Sequence, residues 1–177
     1  MSTEKKNFNA VKFDRVEIQE IEKQGNINFA DLGLPSGRKW ALRNVGAESE
    51  EDCGFLMDFD TANAIQFEDG WHLPTKEDFI ELDENCAHKW IVNNGVPGML
   101  FTSIHNCNSI FLPAAGYSWF DDDEYGTTLT DRGSNGRYWS SSYYSAARAY
   151  YLLFNSSEVN PQYYNGRRNG FTVRAVQ

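Results

Sequence analysis

The residues best suited to chemistry in this sequence are tyrosines, and the chemistry they suit is noncovalent recognition. Seven of the nine tyrosines lie between Tyr138 and Tyr164, where Ser, Asn, Ala and Arg separate them. A tyrosine offers a large, stiff contact surface, and Ser and Asn add adaptable hydrogen bonds. Arg and Tyr also dominate the binding energy of many interfaces. The composition therefore indicates a recognition surface, with a tyrosine-rich outer strand of a solvated sheet as the alternative.

Two strands are expected to hold this tyrosine-rich segment in place. Residues 149–154 (AYYLLF) precede the polar turn at 155–157, a pattern typical of a strand. Residues 170–176 (GFTVRAV) alternate between two sets of side chains and predict a half-buried terminal strand. Between them, residues 163–169 (YYNGRRN) are predicted to form a loop, and loops on a rigid scaffold often contain binding residues.

The earlier part of the chain predicts a hairpin and two helices. The hairpin surrounds Pro35-Ser36-Gly37, where the glycine can adopt a positive φ. Residues 53–65 (CGFLMDFDTANAI) are expected to form a helix that follows an acidic stretch, which suits the helix dipole. Thr75 is predicted to cap a second helix, in which Asp78 completes a capping box.

Charge and hydropathy restrict the class of partner. The net charge of −9 argues against nucleic acid, because phosphate binding requires a basic surface. No apolar run approaches the roughly 20 residues that span a bilayer. The first ten residues, MSTEKKNFNA, lack the apolar core of a secretory signal peptide. The sequence leaves three locations open: a virion, a cell surface or the cytoplasm.

Residues for catalysis or metal binding do not form an informative pattern. The three cysteines, Cys53, Cys86 and Cys107, lack the spacing of a metal site, and we expect them to be buried free thiols. The three histidines have no nucleophile or second ligand at a useful spacing. The acidic run at 121–124 has ligand types that suit calcium, but such a run is more typical of a solvated loop. We therefore expect no enzyme activity, no metal and no cofactor.

Five separated motifs, taken in order, resemble a known family. They are DLGLPSG at 31–37, GWHLPT at 70–75, NSIFLPAAGY at 108–117, YWSSS at 138–142 and GFTVRAV at 170–176. The set resembles the Bacteroidetes-type major paralogous domain proteins, and especially the variable proteins of diversity-generating retroelements, whose fold is shared by the phage major tropism determinant. The resemblance covers about residues 27–177. Residues 1–26 lie outside it, as an arm that packs on the domain or on another subunit of a homo-oligomer.

The resemblance implies an α+β fold of the C-type lectin-like class, with two helices, small antiparallel sheets and a long irregular C-terminal half. It also implies a variable ligand-binding region at about residues 141–169, which binds a protein or glycan on another cell or particle. In such proteins a reverse transcriptase system alters adenines, typically in the Asn codon AAC, and the altered codons never encode Lys, Glu, Gln, Met or Trp. The residues that fit this restriction and form the predicted binding site are Tyr143, Tyr144, Ala146, Ala147, Arg148, Tyr151, Leu153, Asn160, Tyr163, Tyr164, Asn165, Gly166, Arg168 and Asn169.

Other consequences of the resemblance concern the core and the competing functions. Tyr150, Leu152 and Phe154 match positions that the family keeps, and they are predicted to face the core. A non-diversified binding or structural domain on a cell surface or virion is the alternative function. The fold also resembles formylglycine-generating enzymes, but those use a cysteine pair late in the domain. This chain has no cysteine after Cys107, so an enzyme is the least favoured reading.

Overall fold

The computed structural model describes residues 27–119 and 128–177 of the chain. Within these ranges there are two helices, α1 (Phe59–Ala64) and α2 (Lys76–Asn85). The strands are β1 (Phe29–Asp31), β2 (Lys39–Ala41), β3 (Cys86–Asn93), β4 (Val96–Ser103), β5 (Ser109–Pro113), β6 (Tyr117–Ser118), β7 (Leu129–Thr130), β8 (Gly136–Ser145), β9 (Arg148–Phe154) and β10 (Val159–Gly166).

The strands of the described residues form four small antiparallel sheets. β1 pairs with β2, and β6 pairs with β7. β4 lies between β3 and β5, and β9 lies between β8 and β10. The β1–β2 hairpin confirms the prediction made from the Pro-Ser-Gly turn. Asn94 and Gly95 connect β3 to β4 with φ angles of 47° and 86°, which suit a two-residue hairpin turn.

The expectation of an α+β, C-type lectin-like fold is wrong, because the described residues form a β-rich structure whose helices have only six and ten residues. The helix expected at 53–65 is shortened for a physical reason. Met57 stays extended because it exchanges two backbone hydrogen bonds with Phe171, at 2.9 and 3.0 Å. The Asp58 carboxylate then accepts a hydrogen bond from Thr61 N, so that α1 begins only at Phe59.

The C-terminal half is more regular than the resemblance implied. Strand β8 continues from Gly136 to Ser145, and the segment predicted as a loop at 163–169 lies largely in β10. β10 pairs with β9 along most of its length, with a register shift between Asn160 and Tyr163. Pro161 lies inside this shift. Proline has no N–H to donate to the ladder, and the loss matters least where the pairing is already irregular. The tyrosines of β10 are therefore held by a sheet and not by a loop.

Strand β9 is buried on both faces, which determines where the hydrophobic cores lie. Leu152 and Phe154 belong to one core cluster together with side chains of α2, as predicted. Tyr151 and Leu153 belong to a second cluster, together with Phe171. β9 is the middle strand of its sheet and is covered on each face by another layer. Its near-continuous apolar sequence is typical of a strand buried on both sides.

Helix α2 begins as predicted from its capping sequence. The Thr75 hydroxyl accepts a hydrogen bond from Asp78 N, and the Asp78 carboxylate accepts one from Thr75 N at 2.8 Å. The Asp78 carboxylate also pairs with Arg38 Nε at 2.9 Å, which connects the helix to the start of β2. Ser142 Oγ of β8 accepts a hydrogen bond from Lys76 N at 3.0 Å. The start of α2 is therefore fixed against the C-terminal sheet.

The C-terminal segment 170–176 is fully buried, so the prediction of a half-buried terminal strand is wrong. The segment runs between several elements and bonds to each through isolated bridges. Thr172 O accepts a hydrogen bond from Trp139 N, and Val176 exchanges two backbone hydrogen bonds with His72. Both sides of the segment consequently face other parts of the protein, including the side that bears Arg174.

The remaining expectations concern cysteines, termini and membrane spans. The three cysteines are free, as predicted, and Cys53 and Cys86 are buried, but the expectation of burial is wrong for Cys107, which is exposed. Burial raises the pKa of the Cys86 thiol to about 11.

The expected arm at 1–26 and the acidic run at 121–124 lie outside the described residues. Among the described residues, no helix has the length and apolar character needed to cross a membrane.

Candidate ligand-binding surface

Five tyrosines gather at one end of the three-stranded β8–β9–β10 sheet, which we name the tyrosine tip. Strand register produces this arrangement, because Tyr164 lies opposite Tyr150 in the β9–β10 pair and the two-residue turn at 146–147 joins β8 to β9 close by. The tyrosines of the tip are Tyr143, Tyr144, Tyr150, Tyr163 and Tyr164.

One face of the tyrosine tip is a compact aromatic cluster. The rings of Tyr144 and Tyr164 stack with their centroids 3.7 Å apart and 3° between their planes. Tyr150 meets these two rings edge-on, at centroid distances of 5.4 and 6.4 Å. Lys76 Nζ lies 4.8 Å from the Tyr150 ring, and Arg148 Cζ lies 5.7 Å from the Tyr164 ring. At such distances the ring face attracts a cation.

The opposite face of the tip is built around Tyr143. Successive side chains on a strand point to opposite sides of the sheet, so Tyr143 and Tyr144 face apart. The Tyr143 ring meets Phe59 of α1 edge-on at 4.8 Å. Arg167 Cζ lies 5.2 Å from the Tyr143 ring, and the Arg167 guanidinium pairs with the carboxylate of Asp60. Helix α1 and the residue after β10 therefore support Tyr143 together.

The hydroxyl groups of the stacked pair influence each other. A hydrogen bond with Tyr164 raises the pKa of Tyr144, and electrostatic repulsion between the two phenol groups raises it further. The nearby charge of Arg148 acts in the opposite direction but does not cancel the shift. Tyr144 therefore keeps its proton at neutral pH, and its hydroxyl can both donate and accept a hydrogen bond.

The structure places most of the predicted site residues on or next to the tyrosine tip, but in three different environments. The exposed residues are Tyr143, Tyr144, Ala146, Ala147, Arg148, Tyr163, Tyr164 and Arg168. The half-buried residues are Asn160, Asn165 and Gly166. The buried residues are Tyr151, Leu153 and Asn169.

The buried members of the predicted site have a packing role in this structure. Tyr151 and Leu153 are 4% and 8% exposed, because the face of β9 that was expected to meet solvent is covered by the second core cluster. Asn169 is 4% exposed, and its amide donates a hydrogen bond to Gly166 O at 2.9 Å. Asn160 lies near the opposite end of β10 from Gly166 and is separated from the tyrosine tip.

Four residues outside the predicted set contribute to the tip. Tyr150 was predicted to face the core, and this is wrong, because it lies near the start of β9 and is only half-buried among other tyrosines. Phe59 and Lys76 come from the two helices, and no local sequence pattern could connect them to residues so far along the chain. For Arg167 the sequence contains a weak indication of a role at the tip, because it is one of two adjacent arginines at 167–168 within the tyrosine-rich segment.

Among the cavities lined by described residues, two that could hold a small molecule lie near the elements described above. One of about 610 Å³ lies between residues 48–53 and the β3–β4 turn, and no residue of the tyrosine tip lines it. Its Glu51 carboxylate already accepts hydrogen bonds from the side chains of Asn93 and Asn94, at 2.9 and 2.7 Å. A smaller cavity of about 320 Å³ lies beside α1. In residues 27–119 and 128–177, no group of three or more His, Cys, Asp or Glu could hold a metal ion.

Comparison with known proteins gives one partial match. Residues 100–176 match a family described as a domain of unknown function (DUF8237). No curated protein matches the chain. No solved structure matches it either. The matched residues include the whole β8–β9–β10 sheet and the C-terminal segment, so the tyrosine tip lies inside them.

Proposed function

We propose that this protein binds a protein or glycan ligand through the tyrosine tip, and that retroelement mutagenesis diversifies the exposed residues of the tip. The ligand belongs to another cell or particle. The observation that supports binding is the exposure of four neighbouring aromatic side chains, since Tyr143, Tyr144, Tyr163 and Tyr164 are 57%, 46%, 42% and 41% exposed. Single exposed apolar residues are ordinary, whereas several exposed aromatic side chains gathered at one end of a sheet indicate an interaction site.

The way in which the tip is held supports the same proposal. The stacked pair Tyr144–Tyr164 and the contact of Tyr143 with Phe59 restrict these rings before any ligand arrives. Side chains that are ordered in advance lose less conformational entropy on binding. The hydroxyl groups and the cation of Arg148 at the rim add directional contacts. The tip therefore combines apolar area with polar groups, as recognition surfaces usually do.

The residue types at the tip support diversification. Every exposed residue of the predicted site is Tyr, Ala or Arg, all of which arise from AAC by substitution of adenines. Glu158 and Gln162 do not arise in this way. Glu158 precedes Val159, which pairs with Phe154 at the other end of the sheet, and Gln162 is an exposed residue of β10 next to Tyr163, so the proposal requires its codon to stay unchanged. Diversification confined to exposed positions would change the ligand specificity and leave the core clusters intact.

Deep sequencing of the 3′ part of this gene, with its flanking DNA, in the source population tests the proposal. We expect substitutions at the codons of exposed tip residues such as Tyr144, Tyr163 and Tyr164, each traceable to an adenine in a nearby template repeat. The codons of Leu152 and Phe154 are the matched control, because these residues lie in the same sheet but are fully buried.

The same sequencing can contradict the proposal. Equal substitution at the tip codons and at the codons of Leu152 and Phe154 would indicate ordinary drift and not targeted mutagenesis. Invariant tip codons without a template repeat would exclude diversification. A binding domain with one dedicated partner would then replace it, and a pull-down with the single protein would become the test of binding.

A further inference from the structure

The cavity beside α1 has a lining whose chemistry is specific. Its volume is about 320 Å³, near the lower end of the roughly 300 to 1,000 Å³ typical of small-molecule sites. The last turn of α1, the segment that follows it and one residue of β8 enclose it. The lining has no Asp, Glu, Lys or Arg, and its polar side chains are those of Asn63, Gln66, His72 and Ser141, with Trp71 among the apolar ones.

The hydrogen bonds of this lining leave acceptors available. Asn63 Nδ2 donates to Phe59 O at 3.0 Å, and Gln66 Nε2 donates to Ala64 O at 3.4 Å. Each amide keeps its oxygen as an acceptor. Ser141 Oγ donates to Pro74 O at 3.3 Å, and the hydroxyl oxygen retains acceptor capacity. The lining therefore suits a ligand that donates hydrogen bonds.

The histidine of the lining has a neighbour at each ring nitrogen. His72 Nδ1 lies 2.7 Å from Leu73 O, so this nitrogen bears the proton and donates. His72 Nε2 lies 3.2 Å from Arg38 Nη1, which is a donor, so Nε2 accepts. Both ring nitrogens are therefore engaged by neighbouring groups, and the hydrogen-bond acceptors open to a ligand are those of Asn63, Gln66 and Ser141.

The cavity is next to the tyrosine tip through two shared elements. Asn63 lies one turn after Phe59 on α1, and Phe59 is the residue that contacts the Tyr143 ring. Ser141 lies two residues before Tyr143 on β8. A ligand that covers the Tyr143 face of the tip can therefore extend one group into the cavity.

We propose that this cavity binds a neutral sugar residue of the ligand. The proposal rests on the proposed function and narrows the ligand to a glycan. Sugar hydroxyl groups supply hydrogen-bond donors for the amide oxygens of Asn63 and Gln66 and for the Ser141 oxygen. The absence of Asp, Glu, Lys and Arg from the lining disfavours an acidic or amino sugar, because no ion pair would offset desolvation of its charge.

Saturation-transfer NMR with the full chain and single sugars tests this site. The probes are glucose, galactose, mannose, fucose and N-acetylglucosamine. We expect at least one of them to bind, and Asn63→Trp, which fills the cavity, to weaken that sugar at least tenfold. Ser141→Val, which removes a hydroxyl acceptor, should weaken it in the same direction. Val92→Ala is the matched control, because Val92 is exposed on β3, outside the cavity lining and the tyrosine tip, and its loss should leave the affinity unchanged.

Two results would overturn the sugar site. The first is that none of the five sugars binds to the wild-type chain. The second is that a sugar binds equally well to the wild type, Asn63→Trp and Ser141→Val, which would place its site elsewhere. Thermal unfolding of each variant verifies that a lost signal does not come from lost structure. Neither result affects the codon sequencing, so failure of this site and failure of the proposed function remain distinguishable.

Discussion

Tyr151 and Tyr163 are register partners on β9 and β10, with ring centroids 6.0 Å apart, yet their surroundings differ. The Tyr151 ring contacts Trp139 and Phe171 at centroid distances of 6.1 and 4.6 Å and is 4% exposed. The Tyr163 ring is 42% exposed. Burial also raises the pKa of the Tyr151 hydroxyl, whereas the tip tyrosines meet solvent. The two residues therefore place a core position and a solvent-exposed position side by side in the sheet.

Replacing each of these tyrosines by alanine should have unequal effects on stability. We expect Tyr151→Ala to lower the free energy of unfolding by about 3 to 5 kcal/mol, because it leaves a cavity among aromatic neighbours. Tyr163→Ala should change it by about 0.5 kcal/mol or less. Urea denaturation followed by circular dichroism measures both values. Equal losses would contradict the assignment of Tyr151 to the core and of Tyr163 to the tip.

At the scale of elements, the start of α2 determines the position of a cation at the tip. Thr75 and Asp78 form the capping box, and Lys76, the first residue of α2, extends to the Tyr150 ring. The hydrogen bond from Lys76 N to Ser142 Oγ fixes this turn against β8. Loss of the cap would therefore affect both helix stability and the placement of Lys76.

Thr75→Ala should lower the free energy of unfolding by about 1 kcal/mol, within the roughly 0.5 to 2 kcal/mol measured for lost N-caps. The physical reason is that Asp78 N loses its acceptor at the helix start. Thr75→Ser retains the hydroxyl and should stay close to the wild type. Chemical denaturation of the three proteins measures the difference. A serine variant as unstable as the alanine variant would show that the methyl group of Thr75, and not its hydroxyl, stabilises this turn.

The elements that the sequence predicted correctly are those with local signals. The β1–β2 turn and the Thr75 cap depend on residues within a few positions of one another, and both are confirmed. Residues 53–58 and 170–176 depend on each other instead, through the pairing of Met57 with Phe171. The sequence pattern of neither segment indicates that the other segment is its pairing partner. For that reason the expected helix was too long at its N-terminal side, and the expectation of a half-buried terminal strand was wrong.

The candidate site was predictable in residue type but not in geometry. The concentration of Tyr and Arg correctly indicated which part of the chain contains the tyrosine tip. Period-two alternation left both faces of β9 possible and could not show that both are covered. The family resemblance then assigned Tyr150 to the core and Tyr151 to the surface, and both assignments were wrong. Phe59 and Lys76 reach the tip only because α1 and α2 pack beside the sheet, which is a property of the tertiary structure.

At the scale of the whole molecule, the C-terminal segment connects sheets that are individually small. Lys39 and Gln177 exchange two backbone hydrogen bonds at 3.0 Å, which attaches the chain end to β2. Val173 O accepts a hydrogen bond from Val45 N, and Gly170 exchanges two with Ser118. The segment thus bonds to parts of the protein that do not share a ladder. Its burial follows from this position between elements.

Arg174 is the buried charge at the centre of these connections. It is fully buried, and its guanidinium donates from Nε to Asn44 Oδ1 at 2.8 Å. Nη1 donates to Ala41 O of β2 at 2.9 Å, and Nη2 donates to Phe111 O of β5 at 3.0 Å. Burial lowers the pKa of Arg174, but an arginine keeps its proton in proteins. One side chain therefore joins the C-terminal segment to two separate sheets.

Arg174→Met should be among the most destabilising single substitutions in the chain. It keeps a long apolar side chain but leaves three buried acceptors without their donors, and each buried unsatisfied group costs about 1 to 3 kcal/mol. We expect a loss of more than about 3 kcal/mol in the free energy of unfolding, measured by urea denaturation. Arg148→Met is the matched control. Arg148 is exposed at the tip, and its cation–π contact with Tyr164 is worth about 0.5 to 1 kcal/mol of stability.

Apolar groups can replace buried charges without loss of stability in some proteins. A loss for Arg174→Met no larger than that of the control would place this protein among them, and would show that packing and not hydrogen bonding joins the sheets at this point.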